Sequence, residues 1–355
     1  MKKVLIAMSG GVDSSAAAML LLAQGYEVIG VTMKLFSKAD GSAQNEQDIQ
    51  DAKKVADSLG ISHEVLDLQT LFTESVITPF IQEYRAGDTP NPCVFCNKTI
   101  KFGALLQAAA DRGCDYLATG HYAQTVYNEI TGEYELHKGA DPAKDQSYML
   151  YHLTQEQLSR LLFPLGALTK PEIRRISAEH GLITAHKSES QDICFIPDND
   201  YVRFIQQRTS SREKAGKFIH ADGTVLGTHR GLSQYTIGQR KGLGIAYRYP
   251  LYVLRKDPQQ NTIIVGPNEA LFQNTLQASD CRFISPAFQP DQARVTAKIR
   301  YSQQAVPAVL HQVDQTTVTV RFDAPQRAIT PGQAIVFYDG SRILGGGTIT
   351  KGYTD

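Results

Sequence analysis

Three short strings in this 355-residue chain combine residue types that do chemistry. The first, Ser9-Gly10-Gly11-Val12-Asp13-Ser14-Ser15, follows an apolar run at residues 4–8 and precedes an Ala- and Leu-rich run at 14–23. Its two glycines permit positive φ and close backbone approach to a ligand. A helix beginning there offers free N–H groups and the positive end of its dipole. Ser9, Ser14 and Ser15 add hydroxyl donors. The string is therefore an anion cradle. It lacks both the Gly-Lys-Ser/Thr of a Walker loop and the G-x-G-x-x-G dinucleotide fingerprint.

The second string is Thr89-Pro90-Asn91-Pro92-Cys93-Val94-Phe95-Cys96-Asn97-Lys98. Its prolines fix an extended loop. Cys96 stands just before a helical run over 98–112, near Lys98 and Lys101, so a lowered thiol pKa is expected there. A Cys-x-x-Cys pair alone reads equally as a redox pair, half of a zinc site or part of an iron–sulfur site. The third string, Gln191-Asp192-Ile193-Cys194-Phe195-Ile196, is apolar and strand-like. A cysteine in such a run is, taken alone, more often a buried hydrophobe.

The elements that must position these strings are legible in outline. Strand and helix alternate through the first third: strands at 4–8, 27–33, 64–68 and 116–119, helices at 14–23, 51–59 and 102–112. That spacing predicts an α/β fold with a parallel sheet covered by helices on both faces. Ligands on such sheets bind beyond the carboxyl ends of the strands. Residues 37–47 read as a mobile polar loop, and helical pattern resumes at 155–162 and 170–180. After about residue 200 glycines multiply. From about 250 short β-rich runs at 252–255, 262–265, 294–299, 316–322 and 334–338 predict a small barrel or sandwich.

Composition excludes several classes. Apolar residues make up 42% and charged residues 20%, so the chain is globular rather than disordered. No apolar run approaches the roughly 18–20 residues of a membrane span. The first eight residues read as a strand, not a signal peptide, because acidic Asp13 follows the glycines. Five scattered cysteines predict a reducing, cytoplasmic setting. Net charge is zero but uneven. Residues 1–200 hold 17 Lys and Arg against 26 Asp and Glu, whereas residues 201–355 hold 19 against 10. The basic half suggests an anionic partner.

The glycine loop resembles the pyrophosphate loop of the ATP-pyrophosphatase superfamily. With Asn91-Pro92-Cys93-x-x-Cys96-Asn97-Lys98, Thr119-Gly120-His121-Tyr122, Lys144-Asp145-Gln146-Ser147-Tyr148, Asp192-Ile193-Cys194-Phe195-Ile196, the string Tyr235-Thr236-Ile237-Gly238-Gln239-Arg240-Lys241-Gly242-Leu243 and Pro331-Gly332-Gln333, the ordered set resembles the tRNA-specific 2-thiouridylase family along nearly the whole chain. The resemblance implies three domains: an adenine-nucleotide alpha-hydrolase-like catalytic domain (1–200), a central tRNA-contacting β-rich domain (201–267) and a C-terminal β-barrel (268–355). It implies ATP with Mg²⁺ on Ala7, Met8, Ser9, Gly10, Gly11, Val12, Asp13 and Ser14, with Met33 and Gly120 at the adenosine and Asp13 near the metal ion. It implies that Cys194 carries a persulfide and Cys96 is its partner nucleophile. Asn91, Pro92, Cys93, His121, Lys144, Asp145, Gln146, Arg300, Tyr301 and Gln333 would meet tRNA, and a cysteine desulfurase or sulfur-relay protein would supply the sulfur. Arg230, Arg240, Lys241 and Arg248 would follow tRNA phosphates.

Many family members have Asp where this chain has Cys93. An alternative implied by that departure is a [4Fe–4S] cluster on Cys93, Cys96 and Cys194. Other adenylations that use such a loop, in argininosuccinate synthesis or tRNA lysidine formation, leave Cys96 and Cys194 without a purpose. A non-catalytic tRNA-binding or sulfur-carrier protein leaves the intact glycine loop without one.

Overall fold

The computed structural model describes residues 1–36, 46–185, 187, 193–196, 198–209 and 213–354. Most of the polar stretch at 37–47 lies outside these, as do Gln191 and Asp192. The expected α/β unit is present. Strands β1 (Lys3–Ala7), β2 (Glu27–Lys34), β3 (Ser62–Asp67), β4 (Tyr116–Ala118) and a short strand at Leu161–Leu162 form a parallel sheet in the order β3-β2-β1-β4-(161–162). Helices α1 (Val12–Ala23) and α2 (Glu46–Leu59) connect the first three strands. In β1, Val4, Leu5 and Ile6 are all fully buried. Leu5 enters one apolar cluster while Val4 and Ile6 enter another on the opposite face. Such alternation into two cores is what a central strand of a covered parallel sheet requires.

Strand order reverses between β1 and β4, so the crevice beyond their carboxyl ends is the topological switch point. Two segments meet there: the Ser9–Ser15 loop after β1 and Thr119-Gly120-His121 after β4. A Cβ on Gly120 would lie 3.1 Å from the backbone of Asp13 and Ser14. Glycine is needed at this crossing.

The helical segment that carries Cys96 starts earlier than its sequence suggests. It runs without a break through Pro92–Phe95, a wide π-helical stretch at Cys96–Ala104 and Leu105–Asp111. Asn91 caps it, accepting the Cys93 amide at 3.1 Å, and Pro92 occupies the first turn. The expected helix at 155–162 is shorter, Gln155–Leu158, and gives way to the edge strand at Leu161–Leu162.

Two β-domains follow. Strands Gly216–His220, Val225–His229, Tyr252–Asp257 and Thr262–Gly266 form a four-stranded sheet over a core that includes Phe218, Tyr235 and Ile263. Six strands between Phe272 and Tyr353 close into a barrel through pairing of Phe272–Phe283 with Arg342–Tyr353. A hairpin of the first domain, Ala123–Asn128 with Glu133–Lys138, extends this barrel sheet through Leu136 opposite Ile343. Among the described residues no helix is long and apolar enough to cross a membrane.

The segment after the sheet domain is held by its aromatic residue. Phe195 is 5.7 Å from Phe72, 5.4 Å from Phe80 and 5.1 Å from Phe204, ring centre to ring centre. Replacing Phe195 with Ala should cost about 3 kcal/mol or more. A lower urea midpoint together with faster alkylation of the adjacent Cys194 is expected. An unchanged midpoint would contradict the anchor.

Candidate thiol and nucleotide site

The glycine loop has the shape its residues predict. Gly10 is left-handed, with φ of 70°. A Cβ there would sit 2.3 Å from the Asp48 carbonyl oxygen, so the first turn of α2 packs directly on the loop. Gly11 is the N-cap of α1 and offers no capping side chain, which leaves the first-turn amides of the helix for another acceptor. The hydroxyls are internally braced. Ser14 Oγ accepts from the Ser9 amide at 3.0 Å, and Ser15 Oγ donates to the Gly11 carbonyl at 2.8 Å. Thr32 of β2 donates to the Met8 carbonyl at 2.8 Å, and Met33 follows it on the same strand.

Asp13 is tied to two residues of the same domain. Lys170 Nζ donates to its two carboxylate oxygens at 2.7 and 2.8 Å, and the Tyr122 hydroxyl donates at 2.7 Å. Lys170 is buried, and its amide is held by Asp141 at 2.9 Å. These bonds fix the first turn of α1. Gln146 supports the same arrangement, because its side chain accepts the Tyr122 amide at 3.1 Å.

Cys96 is buried in the apolar cluster that also contains Phe195 and Ile196. Cys194 is thereby brought to Cys96 from almost a hundred residues away. It lies in a turn, not in the strand its apolar neighbours suggest, because those neighbours point into the cluster as anchors. Cys93, Cys96, Cys194 and Lys101 are near enough to feel one another's charge. Cys93 and Cys194 keep solvent-accessible surface, whereas Cys96 is buried. Burial pushes the Cys96 thiol up to about 11 and the Cys194 thiol up to about 12, with Lys101 opposing the rise. The Cys93 thiol is raised as well, again by burial against Lys101.

The lowered Cys96 pKa expected from its place near a helix start is therefore reversed. Cys96 sits a full turn inside the helix, and a helix terminus supplies at most about 2 kcal/mol, whereas full burial moves a group by several units. All five cysteines are free. Among the described residues no three His, Cys, Asp or Glu side chains are grouped as metal ligands.

His121 is buried. Its Nε2 lies 3.4 Å from Lys101 Nζ and its Nδ1 2.8 Å from Thr119 Oγ1. Lysine only donates, so Nε2 accepts and Nδ1–H donates to Thr119. Burial and the Lys101 charge hold this imidazole neutral, well below its usual pKa. His121 thus positions Lys101 beside the thiols.

The far wall comes from the barrel. Tyr301 is 39% exposed and senses both Asp145 and Cys93, while the Lys298 ammonium lies 5.4 Å from its ring centre. Three other expected contact residues make hydrogen bonds within the protein. Arg300 donates to the Ala328 carbonyl at 2.9 Å and to Thr330 Oγ1 at 2.7 Å. Gln333 donates to the Thr89 carbonyl at 2.7 Å, beside the Thr89 amide bonded to the Pro331 carbonyl at 3.0 Å. Asp145 accepts the Gly139 and Ser147 amides, each at 3.1 Å. Lys144 is half-buried at the start of this turn, and Asn91 is used as the helix cap. Lys170 and Lys187 escaped sequence reading, since a lysine in a helical first turn or a polar loop carries no signal of its partner.

A parallel sheet with a phosphate-type loop at its switch point, followed by two small β-domains, defines an adenine-nucleotide alpha-hydrolase-like enzyme. Three family profiles tile the chain. The one described as "tRNA methyl transferase HUP domain" matches residues 2–198, "tRNA methyl transferase PRC-barrel domain" matches 202–267 and "Aminomethyltransferase beta-barrel domain" matches 273–349. The tRNA-specific 2-thiouridylase MnmA of Heliobacterium modesticaldum is 51% identical, over 98% of this chain and 92% of that protein. The one from Carboxydothermus hydrogenoformans is 49% identical, over 99% and 98%. The one from Clostridioides difficile is 48% identical, over 99% and 98%. The chain belongs to the tRNA-specific 2-thiouridylase family.

The raised thiols make a direct prediction. Alkylation of Cys96 and Cys194 by iodoacetamide in the free protein should be slow at pH 7 and climb steadily through pH 10. A plateau at or below about pH 8.5, the behaviour of an ordinary cysteine, would contradict it.

Proposed function

We propose that the chain is a tRNA-uridine 2-sulfurtransferase that replaces the carbon-2 oxygen of the wobble uridine, position 34, with sulfur at the expense of ATP. Family membership supports the reaction. One observation supports the route: Phe195 and Ile196, which follow Cys194, pack in the apolar cluster that holds Cys96, and the two sulfurs are near enough to feel each other's charge. A pyrimidine carbonyl is a poor electrophile and its oxygen a poor leaving group. In the proposed sequence that oxygen attacks the α-phosphorus of ATP, and diphosphate leaves. The terminal sulfur of a Cys194 persulfide then attacks carbon 2, and AMP leaves with the oxygen. Cys96 attacks the Cys194 sulfur, which frees the new thiocarbonyl and leaves a Cys96–Cys194 disulfide. A thiol reductant must reopen that disulfide before the next cycle.

The resting pKa values suit this order. A persulfide S–H is a stronger acid than a thiol, so burial that holds Cys194 protonated still permits its loaded form to ionise beside Lys101. Residues Ala7 to Ser14 would cradle the phosphates and Met33 with Gly120 would flank the adenosine. Magnesium arrives with ATP. Cys93, Tyr301 and Lys144 would face the target nucleotide, with the ring of Tyr301 offering a stacking surface. Arg230, Arg240, Lys241 and Arg248 are all exposed on the second domain and would track phosphates. The catalytic, tRNA-contacting and barrel regions would divide at 1–200, 201–267 and 268–355, with the chemistry in the cytoplasm and sulfur supplied by a cysteine desulfurase or a relay protein. No step runs through an iron–sulfur cluster.

Cys96→Ser and Cys194→Ser should each lower thiolation of unmodified tRNA by roughly two orders of magnitude or more while ATP-dependent diphosphate release persists. Cys93→Ser should retain most thiolation, in protein purified without oxygen and free of iron. Stoichiometric iron that disappears in Cys93→Ser along with activity would overturn this route.

A further inference from the structure

Lys187 stands at the mouth of the glycine loop, seven residues before Cys194, and has no part in the chemistry above. Its ammonium donates to the Gly10 carbonyl at 3.1 Å, to Asp48 Oδ1 at 2.7 Å and to Asp51 Oδ2 at 3.0 Å. The two acidic groups come from the first half of α2, the helix whose first turn packs on Gly10. One cation thus binds the loop backbone and two carboxylates together. All three partners are accessible enough to be exchanged: the Lys187 side chain is 31% exposed, Asp48 46% and Asp51 20%.

An anion seated on the first amides of α1 would be one peptide unit from the Gly10 carbonyl. It would also face Asp48 and Asp51, which repel it. The Lys187 ammonium, on its flexible stem and already bonded to both carboxylates and the loop, is placed to reconcile a polyphosphate with them. We propose that Lys187 is a phosphate-binding residue of the nucleotide site, held by Asp48 and Asp51 in the empty protein and transferred to the diphosphate portion of ATP when the loop fills. This rests on the reading of the glycine loop as an ATP site and names a residue that reading did not contain. A lysine that merely pinned the loop would affect every ligand alike. One that meets the diphosphate portion should discriminate among them.

The test is calorimetric titration of the whole chain with inorganic diphosphate and with AMP, in EDTA so that no metal ion intervenes. Lys187→Gln should weaken diphosphate binding tenfold or more and leave AMP unchanged, and Lys187→Arg should recover most of the loss. Asp48→Asn with Asp51→Asn should tighten diphosphate severalfold, since the competing partners lose their charge. Unchanged diphosphate affinity in Lys187→Gln overturns the proposal, as does an equal loss for diphosphate and AMP, which would mark a structural pin. Weaker diphosphate binding in the double Asn variant overturns it too. Should the unaltered protein bind neither ATP nor diphosphate, the ATP reading itself falls and this assignment with it. If it binds ATP and only the variants disagree, that reading stands.

Discussion

Burial of Phe195 and Ile196 in the cluster that holds Cys96 is the contact on which the site depends. Chain connectivity does nothing to unite cysteines 98 positions apart. Two apolar side chains do, by filling a pocket among Phe72, Phe80 and Phe204. The same burial sets the chemistry. It raises both thiols, so the free sulfurs rest protonated beside Lys101. A pair of acidic thiols would be more open to oxidation in the empty enzyme.

The barrel is bound to this site through backbone contacts more than through charge. Pro331 and Gln333 grip both sides of Thr89, two residues before the Asn91 cap. Arg300 ties the barrel to itself, and the hairpin at 123–138 enters the barrel sheet from the other side. Tyr301 of the barrel is near enough to feel the charge of Cys93, and the Lys298 ammonium lies 5.4 Å from its ring centre. Across the crevice, the Lys170–Asp13–Tyr122 network holds the start of α1 in the geometry the loop amides need.

Much of this was legible in the residues. The βα alternation, the glycine loop, the late β-rich runs and the ordered strings pointed to the fold and to the cysteines. What escaped had a common cause: it was decided by distant partners. Leu136 lies in a hairpin whose partner, Ile343, is some two hundred residues away, and nothing local marks that pairing. The apolar run around Cys194 reads as a strand because anchors and strand residues look alike. For Cys96, nearby lysines and a helix start suggested acidity. The burial that outweighs them is a property of the cluster, invisible in sequence. The carbonyl that Arg300 meets leaves no trace in the amino-acid code.

The central claim is that Cys194 delivers sulfur and Cys96 releases it. Its most direct test is one turnover of persulfide-loaded protein with ATP and unmodified tRNA, quenched with an alkylating agent under denaturing conditions and analysed by peptide mass spectrometry. The account predicts a Cys96–Cys194 disulfide that accumulates in step with 2-thiouridine, one for one, and is absent when ATP is withheld. Formation of 2-thiouridine with both thiols still open to alkylation would contradict it.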